Sequence, residues 1–82
     1  MTNPKDTLQQ LQKNLNILKE RKARHGGDAP LALLNQIEDH ETAIALTQQR
    51  LTGELTESEW QEALKPLLVM QNGQVVTIEA ET

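Results

Sequence analysis

Leu8, Leu11, Leu15 and Leu18 recur three and four residues apart, with polar side chains between them. This spacing builds one apolar helix face. Asn3 suits an N-cap, Pro4 fits the first helical position, and Asp6 favours the first turn. Lys19, Arg21, Lys22 and Arg24 fill the last turns, where cations offset the helix dipole. The pattern predicts a helix over residues 4–25, closed by Gly26 and Gly27 in a left-handed termination. A second stripe follows at Leu33, Ile37, His40, Ile44 and Leu51, with Leu34 at its edge. It predicts a helix over residues 29–52, capped by Asp28, with Pro30 in the first turn and Gly53 at the end.

The stretch His25-Gly26-Gly27-Asp28-Ala29-Pro30 therefore stops one amphipathic segment and starts another. A short loop between long helices makes them antiparallel neighbours. Each helix of roughly 22 residues is about 33 Å long. Counted outward from the two glycines, facing residues have numbers that sum to about 54. That register sets Leu18 near Ile37, Leu11 near Ala43 and Ile44, Leu8 near Leu46, and Lys13 near Glu41. The apolar positions meet, which supports a hairpin independently of the turn.

Thr56-Glu57-Ser58-Glu59 has the form of a capping box, and Leu55 with Trp60 the form of a hydrophobic staple. They predict a third helix over residues 57–66 that presents Trp60, Ala63, Leu64 and Leu67, with Pro66 ending or kinking it. Asn72-Gly73 between β-prone runs is a hairpin signal. Residues 67–79 thus form either a small hairpin or a helix extension to about Met70 with a loose tail. The expected fold is all-α: a long antiparallel helical hairpin plus a short third helix, with a small C-terminal β-hairpin or extended tail. Residues 1–70 make the helical module and residues 71–82 the strand or tail.

Composition narrows the function. The chain has 82 residues, which allows one small domain and a small core. It has no Cys, one Trp, no Phe and no Tyr. Disulfides and thiolate metal sites are excluded, and oligomerisation is the remaining way to enlarge a small core. No apolar run reaches a membrane span and the N-terminus lacks the apolar core of a signal peptide, so a cytoplasmic protein is expected. Residues 1–25 hold six of the eight basic residues against two acids, a net +4; residues 26–82 hold two against ten, a net −8. The halves attract each other, and the overall acidity disfavours a dedicated nucleic-acid binder.

Candidate chemistry reads mostly as structure. His40 lies among Leu33, Ile37 and Ile44, while Asp39 and Glu41 point elsewhere on the helix, so it reads as a core-edge histidine. Glu38, Asp39 and Glu41 read as a solvated face, since hard-cation sites need converging oxygens. Gly26-Gly27 lacks the flanks of a phosphate loop, and Ser58 lacks a base. No enzyme activity, cofactor or metal is expected. The basic run from Lys19 to Arg24 keeps a nucleic-acid-associated regulator as the alternative function. Ile17 and Leu31 lie off the main stripes; together with Trp60, Leu67 and the strand residues Val76 and Ile78 they are the candidate partner surface.

The segment from His25 to Glu41, with its Gly–x–x–Ala-Pro–x–x–Leu-Leu–Asn-Gln-Ile-Glu-Asp pattern, resembles short helical modules at the N-termini of large bacterial signalling proteins. These are the effector-associated adaptor modules of STAND-type (NACHT or NB-ARC) NTPases and tetratricopeptide-repeat proteins. Residues 53–60 and 73–78 resemble the same pattern, so the likeness covers roughly residues 5–79. The chain has no Walker lysine. The resemblance thus implies the adaptor alone, as a fragment or a stand-alone protein, acting through protein–protein contact with no catalytic residue carried over. The implied partners are a second copy, as a homodimer or higher homo-oligomer, and a signalling protein.

Overall fold

The computed structural model describes residues 3–68, 70, 71, 74 and 75. Helix α1 spans Pro4–His25, α2 spans Leu31–Thr52 and α3 spans Glu57–Leu64. Asn3 caps α1: its Oδ1 accepts from the Lys5 amide at 2.9 Å, and its carbonyl accepts from the Thr7 amide and hydroxyl. At the other end Gly26 takes φ 64° and ψ −127°, a region closed to residues with a Cβ, and its amide donates to the Ala23 carbonyl. Gly26–Asp28 then form one 3-10 turn.

The start of α2 corrects one expectation. Asp28 does not cap it, and the helix begins at Leu31 rather than at residue 29. The cause is Pro30, whose ring drives the preceding residue out of the helical region. Ala29 is accordingly extended (φ −63°, ψ 132°), which separates Asp28 from the helix start. Pro30 occupies the cap position itself, and its carbonyl accepts from Leu33 and Leu34. At the far end Gly53 is left-handed (φ 86°, ψ 7°); the Gly53 amide donates to Arg50 and the Glu54 amide to Gln49. This six-to-one and five-to-two pairing is a Schellman motif.

The capping box forms as drawn. The Glu59 amide donates to Thr56 Oγ1 at 3.2 Å and the Thr56 amide to Glu59 Oε1 at 3.0 Å. Leu55 packs against the cluster that holds Trp60, completing the staple. Helix α3 closes at Leu64, two residues short of the expected end, because Pro66 supplies no amide to continue the ladder. The Leu67 and Leu68 amides both return to the Leu64 carbonyl at 3.0 Å.

The hairpin register holds in the packing. Leu11 and Ala43 share one cluster with Trp60, Leu64 and Leu68; Leu15, Leu18, Leu33 and Ile37 form a second nearer the turn. Ile44 touches both. Leu51, placed on the buried stripe by its spacing, is 40% exposed. With facing numbers that sum to about 54, its level on α1 is the cap Asn3, so no helix surface remains to cover it. Past Leu68, Met70–Gln71 (β1) runs antiparallel to Gln74–Val75 (β2), Met70 opposite Val75, and β2 lies beside α1. The Asn72-Gly73 turn and residues 76–82, on which the hairpin or tail reading depends, lie outside the described residues.

Candidate interaction surface

Trp60 is the first correction to the expected surface. It is fully enclosed, and its indole Nε1 donates to Thr47 Oγ1 at 3.0 Å. Thr47, also fully buried, donates its own hydroxyl proton to the Ala43 carbonyl at 2.8 Å. A hydroxyl that donates once and accepts once satisfies every polar atom at this spot. Trp60 is therefore the centre of the core between α2 and α3. A buried indole needs an acceptor, and that requirement was the signal for a buried polar residue such as Thr47.

The other expected positions separate. Leu67 is half-buried against the cluster around Trp60. Ile17 is half-buried on α1, three residues from the buried Asn14, on the flank of α1 that also carries Gln10. Leu31 stands 72% exposed in the first turn of α2. Ile17, Leu31, Trp60 and Leu67 thus do not form one patch. Val76 and Ile78 lie outside the described residues.

Two leucines outside the expected set are exposed among the described residues. Leu34 and Leu51 are the other large exposed hydrophobics, and Ile44 between them is half-buried. Both leucines belong to α2, and neither was read as surface from the sequence. At about 100° per residue the two stand about 100° apart round the helix and about 25 Å apart along it. Ala43 and Thr47 of the same helix meet α3. Ile44 packs against both core clusters, so Leu34 and Leu51 are two separate exposed side chains.

Polar groups at the hairpin are structural. His40 is buried, with Nδ1 donating to the Gln36 carbonyl at 2.8 Å, a backbone partner as expected of a core-edge histidine. Its Nε2 and the Arg50 Nε are enclosed without a hydrogen-bond partner. Asn14, fully buried, accepts from Gln10 at 2.9 Å. Glu59 is held below the ordinary carboxylate range by the Thr56 amide, then by the Thr56 hydroxyl. Among the described residues no group of three His, Asp or Glu is placed to hold a metal ion, and no helix is long and apolar enough to cross a membrane.

Compared with protein-family models, curated proteins and solved structures, the chain matches none of them.

Proposed function

We propose that this chain is a non-catalytic protein–protein interaction or oligomerisation module that works by packing helix faces. In this reading it is an adaptor of a bacterial signalling or defence system, like the effector-associated modules its sequence resembles, and it acts in the cytoplasm. The observation that carries the reading is a core of few residues, beside which Leu31 (72%), Leu34 (36%) and Leu51 (40%) stand exposed on α2. A chain this short buries a smaller share of its surface, and oligomerisation enlarges its core. The partners are a second copy and a signalling protein. Completion of the C-terminal hairpin around Asn72-Gly73 belongs to the proposal, with its 74–79 strand available to a second copy.

Sedimentation equilibrium of the 82-residue chain tests it. A mass that rises toward the dimer with concentration is expected; a folded monomer at every concentration contradicts it. The alternative, a nucleic-acid-associated regulator, draws support from Lys19, Lys22 and Arg24, all exposed at the turn end of α1. It requires salt-dependent binding to generic DNA or RNA that falls when these three are neutralised. Absence of binding at low salt rejects it.

A further inference from the structure

We infer that two buried polar layers inside the hairpin select which residues of α1 and α2 face each other, at a cost in stability. The inference concerns the pairing of two helices within one chain and stands independently of self-association.

Among the described residues the buried polar side chains are Thr7, Asn14, His40 and Thr47. They fall two on each long helix, one heptad apart on both. In the register that brings Leu11 to Ala43, Thr7 is level with Thr47 and Asn14 with His40. A polar residue on one helix thus stands level with a polar residue on the other at two places, with the apolar layer of Leu11 and Ala43 between them.

The hydrogen bonds of these side chains run along their own helices. Thr7 Oγ1 donates to the Asn3 carbonyl, Asn14 Oδ1 accepts from Gln10, His40 Nδ1 donates to the Gln36 carbonyl and Thr47 Oγ1 to the Ala43 carbonyl, each four residues back. His40 Nε2 is enclosed with no hydrogen-bond partner. An enclosed polar atom without a partner is destabilising, so the histidine weakens the core it stands in.

What the layers supply is discrimination. Facing a second polar group, a buried amide or imidazole keeps a polar neighbour; facing a hydrocarbon side chain it does not, and its desolvation is uncompensated. A slip of one helical turn breaks the match. Sliding α2 by four residues in one sense sets Asn14 against Ile44 and His40 against Leu18. Sliding it by three in the other sense sets Asn14 against Ile37 and His40 against Leu11. Such a slip needs only one terminal turn of a helix to unwind, so the short connection does not forbid it. Leucine stripes repeat at every turn and separate these registers poorly, whereas a polar residue at a core position specifies one of them and lowers stability.

Spin labels at Gln9→Cys and Asn35→Cys read the register, because both positions are exposed, lie off level with each other, and the chain has no other thiol. A slip of one turn changes their separation by about 5 Å. One distance is expected in the otherwise unmodified chain. The layer-free variant combines Thr7→Val, Asn14→Leu and His40→Leu and leaves Thr47 to accept from the Trp60 indole. It is expected to be helical by circular dichroism, to unfold at a urea concentration no lower than the parent, and to show a second distance beside the first. His40→Gln keeps a polar group level with Asn14 and is expected to retain the single distance. A single distance in the layer-free variant overturns the inference. Failure of that variant to fold overturns it too, since the layers would then hold the hairpin together instead of selecting its register. A second distance in His40→Gln would place the selection in the shape of the ring and also overturns it.

Discussion

The two ends of the hairpin are built differently. At the end away from the turn, α3 packs on α2 and shares a cluster with Leu11 of α1, and Leu11, Ala43, Trp60 and Leu64 are fully enclosed. At the turn end the described residues add no third helix to the pair, and of Leu15, Leu18, Leu33 and Ile37 only Leu18 reaches zero exposure. Leu31 and Leu34 at that end have no cover from a third helix. Two helices in contact bury one stripe each, and a third element is needed to close a core around large side chains. The difference shows why a chain this short leaves apolar surface exposed at one end while it encloses an indole at the other.

Removal of the largest buried side chain breaks the comparison most severely. Trp60→Ala is expected to cost about 4 kcal/mol, which a domain of this size barely survives, and to remove the cooperative urea transition. An unchanged midpoint would mean that the α3 end is not the more stable one. Thr47→Val keeps the shape but leaves the Trp60 N–H buried without an acceptor. A loss of about 2 kcal/mol is expected in urea unfolding, and a change near zero would show that the Trp60–Thr47 bond contributes little. Thr56→Ala is smaller, about 1 kcal/mol through the lost cap, and should unravel α3 before the hairpin. Equal loss of amide protection in α1 and α3 would contradict that order.

The smallest effect is a pH dependence. The Glu59 carboxylate titrates below its unfolded value, so the folded state favours the charged form. Its contribution is present above the ordinary carboxylate range and is lost as pH falls through the lowered value. Acid titration of melting temperature should show this loss in the parent and less of it in Glu59→Gln, which cannot ionise. An identical acid slope in both would remove Glu59 as a contributor.

The legible parts of the fold are those set by local rules. The caps at Asn3, Gly53 and Thr56, the staple of Leu55 and Trp60, and the pairing of Leu11 with Ala43 all follow from spacing and turn chemistry. Asp28 was misread because Pro30 overrides a cap two residues before it. Thr7, Asn14 and Thr47 were passed over because a polar residue looks like a gap in an apolar stripe. Each is buried with a local hydrogen bond that spacing does not display. The surface was the least legible part. Trp60 is core, while Leu34 and Leu51 were assigned to the buried stripe and its edge and are exposed, because exposure depends on where α3 lies and on where α1 begins.

The central claim is that the chain associates with a second copy of itself. Sedimentation equilibrium of the unmodified protein, across concentrations up to the high micromolar range, tests it most directly. The expected result is a reversible monomer–dimer equilibrium. A folded chain that stays monomeric throughout would contradict it.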